Sequence, residues 1–157
     1  MITGQVQSIV FDGTRPLLTS LAPVRGAAYP WLMQVSDISG QVIDLSTTAV
    51  VGTVTHLWSA AIGIAQDYGD GGPLLLAVYS ATSTTGGSQI TFPNGGSDGE
   101  VLVYLSPTDT EALPSCVVKG SLAFLVFSFV LTDPQGVSYP VARGILYPQE
   151  HVLGAPS

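Results

Sequence analysis

Residues 121–131 read SLAFLVFSFVL, and the two faces of that run decide the fold. In an extended strand Ser121, Ala123, Leu125, Phe127, Phe129 and Leu131 point one way. Leu122, Phe124, Val126 and Val130 point the other. A strand half-exposed to water alternates polar and apolar residues; this one is apolar on both sides, so both sides are covered. In a two-sheet sandwich the fold itself buries only the inner face. The outer face must then meet an N-terminal arm, a helix or another chain. The run is about half the roughly 20 residues that a membrane-spanning helix requires.

The neighbouring segments carry the punctuation of short strands. Asp133-Pro134-Gln135-Gly136 is a turn, after which Val137–Tyr147 pairs back as a hairpin. Upstream, Glu100–Leu105 is a strand. Ser106–Leu113 follows as a single helical turn, with Ser106 as N-cap, Pro107 at the first helical position and Asp109 at the third. Trp31–Ile38 is a strand that closes on Ser39-Gly40 and reopens at Gln41–Leu45. Ala49–Trp58 is rich in Val and Thr, which suit a pleated surface. Ser59–Gln66 reads equally as a short helix or a loop. DYGDGG at 67–72 is a turn cluster, Pro73–Ala81 a strand, TSTTGG a turn, and Ser88–Phe92 a further short strand.

Seven or eight short strands with almost no helix describe an antiparallel β-sandwich over residues 29–148. Residues 1–28 form an arm or peripheral segment, with a short strand around Gln5–Phe11. Pro16, Pro23 and Pro30 discourage a regular element there. Leu17, Leu18, Leu21 and Val24 are apolar nonetheless, so the segment packs on its own domain or on a neighbour. Residues 149–157 read as a fraying tail.

Composition narrows the function. Only 10% of the 157 residues are charged and 46% are hydrophobic, against roughly 25% charged in an average soluble domain. Partners covering the surface account for the shortage, and so does a richly apolar single core. The net charge is −7, and Arg15, Arg25, Lys119 and Arg143 are the fixed cations. Four scattered cations cannot neutralise a run of phosphates, which argues against nucleic-acid binding and against adsorption to an anionic membrane. Cys116 is alone, so no intrachain disulfide forms, and it reads as a small buried hydrophobe. The start, MITGQVQSIVFDG, lacks the basic flank and apolar run of a signal peptide, so synthesis in the cytosol is expected.

The search for chemistry returns little. His56 lies in strand-like VTHLW and His151 in the tail, with no Ser-His-Asp or Cys-His spacing around them. Asp12, Asp37, Asp44, Asp70, Asp98 and Asp133 stand in or beside turns, where the side chain bonds local amides. Asp67–Gly72 offers oxygens but lacks the alternating carboxylates and terminal Glu of a calcium loop. The glycine pairs at 71–72, 86–87 and 95–96 lack the Lys of a phosphate loop. Trp31, Trp58, Tyr68, Tyr79 and Tyr104 are core or interface residues on this reading. Trp58 and Tyr68 are the glycan contacts of the alternative reading, a carbohydrate- or receptor-binding module. No enzyme, metal or cofactor is expected.

Several stretches resemble the immunoglobulin-like domains of tailed-bacteriophage structural proteins, such as the N-terminal domain of siphophage baseplate upper proteins. They are Val101, Val103 and Leu105; Thr108, Thr110 and Leu113; Leu131-Thr132-Asp133 with Gly136; and Arg143-Gly144-Ile145-Leu146. VSDISGQVIDLS is similar to that family's first hairpin. The likeness covers about half of the chain, while the apolar arm and the segment 59–72 depart from it. Such domains also recur in tail fibres, necks and head decorations.

The resemblance implies a non-enzymatic virion component, made in the host cytoplasm and held in a symmetric homo-oligomer by contacts with other virion proteins. On that basis Leu17, Leu18, Leu21, Leu122, Phe124 and Val126 are the expected contact residues. Val101, Val103, Leu105, Leu125, Phe127 and Phe129 are the expected core.

Overall fold

A computed structural model describes residues 7–10, 16–66, 74–114, 117–118, 121–122 and 124–150. The strands, in chain order, are β1 (Gln7–Val10), β2 (Leu17–Leu21), β3 (Tyr29–Ser36), β4 (Thr48–Val51), β5 (Val54–Leu57), β6 (Ser59–Ala65) and β7 (Leu74–Tyr79). They continue with β8 (Gln89–Thr91), β9 (Glu100–Leu105), the helix α1 (Pro107–Glu111), β10 (Val117–Val118), β11 (Ser121–Leu122), β12 (Leu125–Thr132) and β13 (Ser138–Leu146).

Two sheets make the sandwich, in the orders β1-β3-β9-β8 and β2-β13-β12-β6-β7. This is the immunoglobulin-like plan, an A-B-E-D sheet facing a G-F-C sheet that gains one further strand beside C and one beside G. All pairings within the two sheets are antiparallel except β1 with β3 and β2 with β13. The first 28 residues therefore supply an edge strand to each sheet. The expectation that the prolines bar regular structure there is corrected at β2. Pro16 and Pro23 flank this strand without entering it, so none of its ladder amides is lost.

The core follows the period-2 pattern. Leu125, Phe127, Phe129 and Leu131 from β12 meet Trp31, Met33 and Val35 from β3 and Val101, Val103 and Leu105 from β9, all buried. All six residues expected in the core lie there. Trp31 stands edge-on to Phe127, with ring centroids 5.6 Å apart and planes at 85°, an arrangement favoured by the ring quadrupoles.

Two further readings are corrected and one is sharpened. Ser59–Gln66 is neither helix nor loop: β6 is an interior strand, with Ala60, Ile62 and Ile64 inward. Ala49–Trp58, read as suited to a pleated surface, is the hairpin β4–β5, which turns at Gly52 with φ of 67°. Gln41–Leu45 makes only a single bridge, Val42 with Ser36. Backbone bonds from Ile43 to Val35 (3.0 Å) and from Leu45 to Gly96 (2.9 Å) hold the rest of it on the frame.

The helical turn forms as expected. The Ser106 hydroxyl accepts the Asp109 amide at 3.2 Å, and Pro107 leads the helix. The Asp109 carboxylate in turn accepts from the hydroxyls of Thr84 and Ser88 and from the Ser88 amide, tying α1 to the turn before β8. Burial pushes this carboxyl up, but those hydrogen bonds outweigh it and hold it below its ordinary value. Arg25 fastens the same end. Its guanidinium donates to the carbonyls of Leu113 (2.8 Å) and Glu111 (3.1 Å) and pairs with Glu150 (2.8 Å). The tail as far as Glu150 is thus docked, and residues 151–157 lie outside the described residues.

Candidate functional site

Register fixes which loops share an end. In the five-stranded sheet Thr132 pairs with both Ser59 and Ser138, and Ala61 pairs with Tyr79. The link into β6 (37–58), the turn between β12 and β13, and the exit from β7 therefore lie together. The seven residues 22–28 join Leu21, which pairs with Leu146, to Tyr29, which pairs with Leu105. That short link places these partners at the opposite end, so Ser36, Glu100 and the 93–99 turn share the loop end. Variable immunoglobulin domains carry their binding loops in the corresponding place.

Two five-residue turns of the same build shape this end. The Asp37 carboxylate accepts the amides of Ser39 (2.9 Å) and Gln41 (3.0 Å), while Gly40 takes a φ of 89°. The Asp133 carboxylate accepts those of Gln135 (3.0 Å) and Val137 (2.9 Å), with Gly136 at 90°. Only glycine adopts that conformation cheaply. The Ser39 hydroxyl and the turn amides hold the Asp37 carboxyl below its ordinary value, and the Ser46 hydroxyl and amide do the same for Asp44. Behind the second turn the Tyr139 hydroxyl donates to Asp133 at 3.0 Å, which raises the phenol.

Between the first of these turns and β6 the chain makes the β4–β5 hairpin. Every residue in it but Ala49 is exposed, including Val50 (67%), Val51 (56%), Val54 (55%) and Leu57 (67%). Val50 and Leu57 occupy one face, and Val51 and Val54 the other. Its foot is closed by the Trp58 indole N–H, which donates to the Thr47 hydroxyl at 2.8 Å, while the Trp58 ring packs on the core. Beside the foot lies a hollow of about 250 Å³, lined by Ser59, Ala61, Tyr79 and Thr132 among others. Small-molecule sites usually measure about 300–1,000 Å³, so the hollow suits an aliphatic side chain better than a ligand.

Large apolar side chains surface mainly here. Of the twelve exposed ones among the described residues, nine sit at the loop end: the four of the hairpin with Val10, Ile38, Val42, Tyr79 and Val137. Sequence reasoning missed this concentration, because it arises from loops far apart along the chain. The Gly52-Thr53 turn was the available signal for the hairpin.

The residues expected at interfaces scatter instead. Leu18 is open (70%), Phe124 is half-exposed (50%) and Leu17 is partly buried. Leu21 and Val126 are corrected: both are buried within this chain and present nothing to a partner. The side chain of Leu122 lies outside the described residues, as does Tyr68. Trp58 is half-buried, and its indole N–H is engaged by Thr47. His56 is exposed on β5. Among the described residues no three His, Cys, Asp or Glu converge as metal ligands, and no helix is long and apolar enough to cross a membrane.

No family model matches the chain, and no curated protein does. Among solved structures, a chicken TCR is similar over 90% of this chain at 13% identity, with a TM-score of 0.42; the chain spans 57% of that protein's length. The RIG-5 IG1 homodimer is similar over 88% of this chain and 95% of its own, at 11% identity and a TM-score of 0.36. Both similarities are distant and carry nothing about what this chain binds.

Proposed function

We propose that the chain is a non-enzymatic structural protein of a tailed-bacteriophage virion, a tail, baseplate, neck or head-decoration component. It works through protein–protein contacts in a symmetric assembly with other virion proteins and with its own copies. The observation that carries this reading is the β4–β5 hairpin, which exposes two large apolar side chains on each face, with no cover among the described residues. An isolated two-stranded hairpin is marginal in water, and contiguous exposed apolar surface marks an interaction site. The motifs shared with virion immunoglobulin-like domains, from VSDISGQVIDLS to Leu131-Thr132-Asp133 with Gly136, support the particle as its setting.

The test is hydrogen exchange followed by mass spectrometry on purified virions and on the free chain. The chain is expected in the particle, with amides 48–57 protected there and exchanging freely in isolation. Recovery only from the soluble fraction of infected cells, or equal exchange in both settings, would sink the reading. A turnover that disappears with His56→Ala would replace it with an enzyme.

A further inference from the structure

Charge is divided along the sandwich. The loop end carries Asp37, Asp44, Asp98, Glu100 and Asp133 and, among the described residues, no lysine or arginine. At the far end Arg25 is paired with Glu150, and Arg143 lies midway along β13, opposite Ser128. From Leu45 to Gln66 the sequence contains no Asp, Glu, Lys or Arg. The hairpin is thus a neutral apolar projection on an acidic end, and Asp37 and Asp44 are kept ionised by their hydroxyl and amide donors.

From this we infer that the loop end docks on a different protein, one whose surface offers an apolar seat rimmed by lysine or arginine. Among the described residues, two copies meeting end to end would set five carboxylates against five with no lysine or arginine between them, and like charges brought together oppose association. The hairpin's four large side chains are divided two to a face, too few to supply one partner's share of a standard interface, about 800 Å². A stable contact must therefore extend past the hairpin onto the surrounding surface, where the carboxylates lie. Only a basic rim satisfies both parts. This deepens the reading above and rests on it; contacts between copies then fall elsewhere, for which Leu18 and Phe124 remain exposed.

The probes are two amphipathic peptides of alternating sequence, Leu-Lys and Leu-Glu, titrated against the whole chain by fluorescence anisotropy at about 50 and 500 mM salt. The Leu-Lys peptide is expected to bind at low salt and weaken at high salt, and the Leu-Glu peptide not to bind. Val51→Ser with Val54→Ser should weaken binding at least about tenfold, roughly the loss of two apolar contacts. Asp44→Asn with Asp98→Asn should weaken it and flatten its salt dependence. Circular dichroism checks the fold, and Val51→Thr with Val54→Thr serves if the serine pair unfolds. Equal affinity for both peptides, or none for either, overturns the inference. So does a serine pair that sediments as a smaller species than the unaltered chain, since the hairpin would then be meeting a second copy. Failure with the peptides while amides 48–57 stay protected in virions sinks this inference alone; absence from virions sinks the reading beneath it.

Discussion

A Cβ placed on Gly144 would lie 1.6 Å from the carbonyl oxygen of Thr19. These two residues are register partners where β2 runs parallel to β13, so this edge of the five-stranded sheet is bound to the body of the fold through a site with no room for a side chain. Gly144→Ala should expel β2 and cost more than about 3 kcal/mol, in the range of severe overpacking. Gly63→Ala is the control. Its added methyl meets only Leu74 Cδ1 at 3.5 Å, an ordinary contact, and the urea midpoint should barely move.

The Asp109 carboxylate organises Thr84, Ser88 and Ser106, and Asp109→Asn should cost about 1–3 kcal/mol through hydrogen bonds lost to a charged acceptor. The pH dependence has a definite sign. A carboxyl held below its ordinary value stabilises the fold above that value, near 3.8 here, and the contribution disappears as pH falls through the folded-state value. Urea midpoints measured at descending pH should show the gap between the native chain and Asp109→Asn constant near neutrality and closing in acid.

Phe127 is 1% exposed and edge-on to Trp31. Phe127→Ala should cost about 3–5 kcal/mol by leaving a cavity, and the near-ultraviolet dichroism of Trp31 should weaken with it. Phe127→Asp buries a charge without a partner and should leave no folded protein in the soluble fraction.

Tyr139 donates to Asp133, and that bond raises its phenol. Stabilisation from a raised tyrosine is complete at neutral pH and is lost only as pH climbs through the folded-state value. Spectrophotometric titration should find two tyrosines ionising late, Tyr29 through its burial and Tyr139 through Asp133. In Asp133→Asn the amide oxygen still accepts the turn amides, so the fold persists, but only the late ionisation of Tyr29 should remain.

The legible part of this fold was apolar alternation. Strand β12 could be read from sequence, and its inner face is buried as the pattern requires; on the outer face Val126 is covered while Ser128 is open. The helical turn was legible because Ser106, Pro107 and Asp109 each have a positional meaning. Strand β6 was missed because Ala61, Gly63 and Ala65 on its outer face are small, which hid a strict alternation beneath the appearance of a helix or loop. Strand β2 was missed because prolines were weighed by their number and not by their positions at its ends. The turns of the loop end were legible singly but not as one surface, since it is assembled from the 37–58 link, the 133–137 turn and the end of β7.

The clasp between Trp58 and Thr47 has one more outcome. It seals both ends of a ten-residue excursion at the frame, while the intervening side chains stay outside the core. Sequence inside the clasp is released from the demands of folding and can be rewritten as a cassette. A foreign loop grafted between those two residues should leave the sandwich standing, so recognition here can evolve at a pace the scaffold does not share.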